Sequence, residues 1–248
     1  MKQKIIFFDC YQTLLDVQLT KSDKDEQRGW EQFVNLLAQS QGIKICASKF
    51  VALLEKRKAN FYSDKDKTTQ HHNLCLLASD VLEKDLQTPL PKNEVSELIY
   101  EFRKVSRGHA RLYPKVADTL AVLAEKYTLS IASYTQGCFT QFELRELGIE
   151  KYFSYFIYSS DIVFKKESPE FYRWCLRLVK KEPRDCIMIG DNYHEDIIVP
   201  TSLGMNTIWI KNPATLSKNP SSPAEVEYSL DLADFDKLPQ AIDRIFEN

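Results

Sequence analysis

Glycine is scarce in this chain, with only seven in 248 residues. A sequence so sparing of glycine places each one for a reason, and Gly190 and Gly204 call for one. Long apolar runs are missing too. The longest are strand-length, which excludes a membrane-spanning helix of about 20 residues. The lysines near the N-terminus followed by apolar residues imitate a signal peptide, but the run is too short and Asp9 interrupts it. Paired cysteines are absent. The six stand at 10, 46, 75, 138, 175 and 186, with no Cys-x-x-Cys and no Cys/His spacing suited to zinc. Cys46, Cys75, Cys175 and Cys186 sit in apolar surroundings and read as small core residues, so a reducing cytoplasm is the expected location. An excess of one charge is also lacking. With 33 basic and 35 acidic residues the formal net charge is -2, which gives no electrostatic case for nucleic acid or a membrane surface as partner. There is no internal repeat and no low-complexity segment.

What is present is a hydrophobic share of 44%, enough for a sizeable core in one large domain or in a core with an insertion. The organising stretch is Ile5-Ile6-Phe7-Phe8-Asp9. Two β-branched and two aromatic residues in a row read as a strand buried on both faces. The run stops at a carboxylate. In an open parallel sheet ligands sit beyond the carboxyl ends of the strands, so Asp9 stands where chemistry is done; equally, Asp is a common turn residue.

From about Ser22 to Gly108 the periodicity predicts helices only: Glu26 to Gln41 closed by Gly42, a second helix capped by Ser48, a third from Thr68 to about Leu86, and a fourth opened by Pro91. Residues 63–67 read as a solvated turn, and 212–223, rich in proline and serine, as a loose loop. After Tyr113 strands and helices alternate. Strands are expected at 129–132, 155–158, 186–189 and 206–210, and helices at 114–127, 138–147, 168–179 and 195–204, with a helical tail at 232–246 after a short strand at 226–229. This alternation predicts an α/β fold, a doubly wound parallel sheet with helices on both faces and an all-helical insertion after the first strand. The expected division is a catalytic core of 1–18 and 110–248 with a helical cap of 19–109.

The core strands end in residues that suit one shared site. These are Asp9, then Ser133, then Lys166 after a loop, then Asp191 with Asp196 five residues on. Such ends converge at one sheet edge. Asp191 follows four residues, Ile-Met-Ile-Gly, and a carboxylate there is costly without a purpose. Ser133 alone is equally a turn residue, Thr13 likewise, and Lys166 has Lys165 beside it as a solvated alternative.

Taken in order, Asp9-Cys10-Tyr11-Gln12-Thr13-Leu14, Ser133, Lys166-Glu167-Ser168-Pro169-Glu170 and Gly190-Asp191-Asn192-Tyr193-His194-Glu195-Asp196 resemble the haloacid dehalogenase superfamily of hydrolases, with a Rossmann-like core and a helical cap. The resemblance implies that Asp9 is the nucleophile and forms a covalent ester or acyl-phosphate. It implies Mg²⁺ held by Asp9, Asp191 and the Tyr11 backbone carbonyl, with Asp196 in support, an all-oxygen set that suits this ion. Ser133 and Lys166 would bind the transferring group, with Thr13 serving the same loop, and Lys166 would also neutralise Asp9.

The pattern breaks at one place. Phosphatases of the family carry an acid-base aspartate two residues after the nucleophile, and Tyr11 occupies that catalytic position here. An ordinary tyrosine pKa of about 10 makes it a poor base at neutral pH. Asp-x-Tyr is typical of the metal-independent 2-haloacid dehalogenases, which also need a cap arginine; Arg57 is the nearest candidate, or an ordinary helix charge. Three readings follow: a Mg²⁺-dependent phosphohydrolase acting on a small phosphorylated molecule, slow unless His194 or Glu195 supplies the proton; a metal- and phosphate-binding protein with little turnover; or a dehalogenase. The cap, through Trp30, Phe33, Phe61, Tyr62, Arg28, Arg57 or Lys58, would choose the substrate.

Overall fold

The computed structural model describes residues 4–19, 22–63, 69–219 and 228–247. The elements, in chain order, are β1 (Ile5–Phe8), β2 (Leu15–Leu19), α1 (Asp23–Gln41), α2 (Ala47–Ser63), α3 (Leu74–Asp80) running into a π-turn (Val81–Asp85), α4 (Lys92–Ser106) and β3 (Arg107–Leu112). Then come α5 (Val116–Lys126), β4 (Thr128–Ser133), α6 (Gly137–Glu146), β5 (Phe153–Tyr158), α7 (Ser159–Ile162), α8 (Pro169–Val179) and β6 (Cys186–Gly190). A second π-turn (Tyr193–Ile198), α9 (Val199–Ser202), β7 (Asn206–Lys211), β8 (Ser229–Asp231) and α10 (Leu238–Glu247) complete the described chain.

Six strands form one parallel sheet in the order β5-β4-β1-β6-β7-β8. Its centre is β1, which pairs with β4 on one side and β6 on the other. Alternate side chains of β1 enter opposite layers. Ile6 and Phe8 pack with Leu120 and Leu123 of α5 and Ile242 of α10, whereas Ile5 and Phe7 pack with Phe171, Tyr172 and Cys175 of α8. That explains four consecutive apolar residues where a one-sided strand would alternate. The chain order reverses beside β1, so its carboxyl end lies at the switch point where an open sheet leaves a crevice.

Helices α1 to α4 bury a core of their own around Trp30, Phe33, Phe50, Val95, Ile99 and Phe102. Gly29 lets α1 come close to α4, because a Cβ there would collide with the Phe102 backbone and the Ser106 side chain. Ser22 caps α1 by accepting from the Asp25 amide, and Gly42, at φ 72°, ends it.

Several expectations need correction. The stretch from Ser22 to Gly108 is not wholly helical: α4 stops at Ser106 and Arg107 begins β3, which pairs antiparallel with β2. This ribbon joins the helical block to the sheet. Its apolar side chains, Leu15 and Val17 of β2 and Ala110 and Leu112 of β3, pack against the sheet core, while His109 Nε2 (3.0 Å) and Arg111 (2.7 Å) meet the Asp16 carboxylate. The second helix begins at Ala47 rather than being capped by Ser48, and Cys46, expected in the core, is exposed. The helix expected from Glu195 begins two residues earlier as a π-turn. The third helix begins at Leu74; its expected start at Thr68 and most of the 63–67 turn lie outside the described residues, as do 226 and 227 of the expected late strand.

Candidate active site

Asp9 follows β1 directly, and its amide donates to the Ile189 carbonyl of β6 (2.8 Å), so the strand pairing itself fixes the residue. The chain then turns back tightly. The Leu14 and Leu15 amides both donate to the Cys10 carbonyl, and Gln12 sits at φ 63°. That left-handed conformation disfavours a side chain. Gln12 is held in it from three sides: its amide nitrogen donates to the Val17 carbonyl, its amide oxygen accepts from the Tyr113 hydroxyl, and its backbone carbonyl accepts from Asn212.

Asp191 ends β6 and Asp196 lies in the π-turn that follows. Each of Asp9, Asp191 and Asp196 offers an oxygen such that all three lie within 4.8 Å of one another. Thr13, expected to touch substrate, turns its buried hydroxyl to Asp191 Oδ1 instead (3.0 Å). Lys166 is fully buried, with Nζ 2.6 Å from Asp9 Oδ1 and 2.5 Å from Asp196 Oδ1. Lys165, its neighbour, pairs loosely with Glu167 instead. Ser133, at the end of β4, is 2% exposed and faces the same space.

Gly190 now has its reason. A Cβ there would collide with the Asp196 carboxylate, so the missing side chain makes room for a site residue rather than for a ligand. Gly204, at φ 82°, serves the turn before β7. The π-turn at 193–198 is a geometry often found at functional sites, and it carries both Glu195 and Asp196.

Charge is unevenly matched here, three carboxylates against one ammonium. Burial, then the Asp9 charge, pushes the Asp191 carboxyl up to about 6, against the hydroxyls of Thr215 and Thr13. Burial raises Asp196 well above the usual carboxylate range, against the pull of Lys166. Burial alone would lower Lys166, but Asp196 and Asp9 outweigh it and hold the ammonium firmly protonated. Asp196 Oδ1, although at ion-pair distance from Lys166, accepts no aligned hydrogen bond. Three buried carboxylates set against one ammonium are a donor set that fits a hard divalent cation.

Asp9, Ser133, Asp191 and Asp196 line a pocket of about 290 Å³, together with Tyr11, Gln12, Tyr134, Asn192, Glu195, Thr215, Lys218 and Asn219. A groove of about 910 Å³ between α1 and α2 is larger, but the convergent ionisable groups are in the smaller one. Burial pushes the Glu195 carboxyl up to about 7, whereas His194 is exposed and outside the described lining. The Tyr11 hydroxyl donates to Glu143 Oε2 (2.5 Å). Burial, then the Glu143 charge, raises its pKa well above that of an ordinary tyrosine.

Arg57 is not brought to the site: it pairs with Asp85 inside the helical block (2.8 Å). Trp30 and Phe33 are buried in that block's core. The described pocket lining comes from the sheet side alone. Sequence reasoning missed the part that residues 212–219 play. Asn219 donates to the Asp191 and Thr215 carbonyls and accepts from the Tyr193 amide, and Asn212 donates to the Gln12 carbonyl. Asparagines in a Pro/Ser-rich stretch carry no periodic signal that would have marked them.

The comparisons with known proteins agree with this geometry. Residues 3–203 match the model of the haloacid dehalogenase-like hydrolases. A glyceraldehyde 3-phosphate phosphatase from Pyrococcus abyssi is 25% identical over 209 residues, covering 84% of this chain and 81% of that protein. Among solved structures, a 2-haloacid dehalogenase from Pseudomonas syringae superposes with a TM-score of 0.62 at 22% identity, covering 98% of this chain and 99% of the other. A phosphatase from Thermococcus onnurineus superposes with a TM-score of 0.54 at 19% identity, covering 96% and 97%. At those identities the superpositions speak for the fold, and the family match speaks for the lineage. A match running from the first strand through the Asp191 and Asp196 segment makes this chain a member of the haloacid dehalogenase-like hydrolase family, and therefore a hydrolytic enzyme.

Proposed function

We propose that the protein is a Mg²⁺-dependent phosphohydrolase that passes the phosphoryl group through Asp9. The observation that carries this reading is the convergence of Asp9, Asp191 and Asp196 on one pocket with a single buried lysine among them. Three carboxylates repel an anionic substrate unless a cation offsets them, so the same cluster speaks against a metal-free dehalogenase. The relatives named phosphatases support the phosphate ester as substrate class.

Asp9 and Asp191 would hold the cation with the Tyr11 backbone carbonyl, and Asp196 would support it directly or through water. When bound, the ion supplies Lewis-acid charge neutralisation between the attacking carboxylate and the phosphate. The chain's own residues do the rest. The Asp9 carboxylate attacks phosphorus, the P–O bond to the alcohol breaks, and an aspartyl-phosphate remains for water to hydrolyse. Lys166 stays protonated and stabilises charge on the transferring group, and the Ser133 hydroxyl donates to a phosphate oxygen. Tyr11 is committed to Glu143 and gives no proton. Glu195, a further carboxyl lining the pocket, is the group left in position to protonate the leaving alcohol.

The helical block, 19–109 in the proposed division, closes over the crevice as a cap that excludes water. A small phosphorylated molecule suits a pocket of about 290 Å³. The free cysteines are in keeping with the reducing cytoplasm.

The test is hydrolysis of an aryl phosphate with and without Mg²⁺. Asp9→Asn and chelator should each abolish phosphate release. Halide release from 2-chloropropionate that survives chelator would replace this reading with the dehalogenase.

A further inference from the structure

Glu143 sits on α6, fully buried, and no part of the proposed chemistry uses it. A buried carboxylate is costly unless it is paired, and this one is paired on every side. Its Oε2 accepts from the Tyr11 hydroxyl (2.5 Å). Its Oε1 accepts from Arg103 Nε of α4 (3.1 Å) and from Arg107 Nη1 at the start of β3 (2.5 Å). The Arg103 guanidinium lies over the Phe139 ring and 5.8 Å from the centre of the Tyr11 ring. On its other side the Tyr11 hydroxyl meets Thr140 Oγ1 (2.9 Å), which in turn meets Thr135 Oγ1 (2.8 Å).

The network joins three stretches far apart in sequence: the loop that carries Asp9, helix α6 of the sheet layer, and the last turn of the helical block with its return strand. A hydrogen bond to an ionised acceptor is of the strong class, and an aromatic side chain with two torsions is a stiff connector. Tyr11 stands only two residues from Asp9, so whatever holds its ring holds the nucleophile's loop. Any shift of α4 against the sheet must carry Arg103 away from Glu143.

We propose that Glu143 is a positioning residue, which through Tyr11 fixes the loop bearing Asp9 and through Arg103 ties that loop to the placement of the helical block. The position that would otherwise hold an acid-base group has become a brace, and the proposal rests on the phosphohydrolase reading for its kinetic readout.

The experiment is a double-mutant cycle of Tyr11→Phe and Glu143→Gln, read as kcat and KM for an aryl phosphate with Mg²⁺. A brace acting through one hydroxyl predicts that each single variant loses about tenfold in kcat with KM nearly unchanged, and that the double variant loses no more than the worse single, a size of coupling usual for neighbours. Losses that multiply, or a Tyr11→Phe enzyme at wild-type kcat, overturn the proposal. Should Glu143→Gln not fold, Arg103→Gln, which leaves Glu143 its other guanidinium, takes its place in the cycle with the same expectation. Hydrogen exchange at the amides of residues 10–15, with no substrate, is the second readout. The brace predicts faster exchange there in each single variant, and exchange unchanged in that loop overturns it. A wild-type chain that hydrolyses no phosphate ester removes the phosphohydrolase reading, while the exchange measurement still decides the brace.

Discussion

A side chain missing from Gly190 is what lets Asp196 reach the site. Gly190→Ala should therefore force the Asp196 carboxylate aside, at a cost of about 1–3 kcal/mol for overpacking. Urea unfolding reads that loss, and titration calorimetry should show Mg²⁺ affinity falling with it; an unchanged affinity would mean Asp196 has no part in holding the ion. Glu195 can be tested by leaving group. Glu195→Gln should slow an alkyl phosphate by about 10²-fold or more, the usual worth of a placed acid, and a nitrophenyl phosphate far less. Equal effects on both would remove Glu195 as proton donor. At this scale much was legible, because Asp9, Ser133, Lys166, Asp191 and Asp196 each stand at or soon after the end of a strand that apolar runs make visible. Between two adjacent lysines the residues alone did not decide; the resemblance chose Lys166, three residues before Pro169, and Lys166 is the one that is buried. Glu143 was not legible either: in sequence it is one more acidic residue on a helix, and its partners lie about 40 and 130 residues away.

The residues just before α3, 69–73, are strapped to the sheet layer. The His71 amide donates to the Val163 carbonyl, and the Lys165 amide donates to the Thr69 carbonyl. The His71 ring is wedged beside Tyr134, with Nδ1 2.7 Å from Ser159 Oγ and Nε2 3.0 Å from Gln136 Nε2. The Gln136 amide is oriented by backbone partners, since its oxygen accepts from the Leu74 amide and its nitrogen donates to the His72 carbonyl. Nε2 of His71 must then accept, and the proton sits on Nδ1. Burial, then His72 and Lys165, lowers the His71 pKa from 6.5 to about 4. The unfolded chain binds a proton between those values that the native chain refuses, so this contribution is whole above pH 6.5 and is lost as pH falls toward 4. His71→Asn should flatten the dependence of Tm on pH across that window; curves that stay parallel to wild type would show that other groups set it. Among elements, helices and central strands were readable from periodicity. The β2–β3 ribbon was missed although Leu15-Asp16-Val17-Gln18-Leu19 alternates, because its partner offers only Ala110 and Leu112 as apolar positions in a stretch that also carries two arginines and a histidine.

At the scale of the whole molecule, the site is assembled from segments spread between residues 9 and 219. Cation binding to such a site should stabilise the entire fold, by about 2.7 kcal/mol when Mg²⁺ is a hundredfold above its Kd. A thermal shift on adding Mg²⁺ that disappears in Asp191→Asn would bear this out, and an equal shift in both proteins would place the ion elsewhere. The fold class was legible because strand and helix alternate after Tyr113 and because the helical block interrupts them only once. The coupling between block and sheet was hidden, since it runs through single polar side chains.

The central placement of β1 has a cost during synthesis. This apolar tetrapeptide leaves the ribosome before either strand it pairs with, one beginning at Thr128 and the other at Cys186. At about 5–20 residues per second, Ile5 to Phe8 wait roughly 9 to 36 seconds before both flanks are made. For that interval the segment is a greasy thread without a groove, and a chaperone that shields nascent chains would find its foothold there.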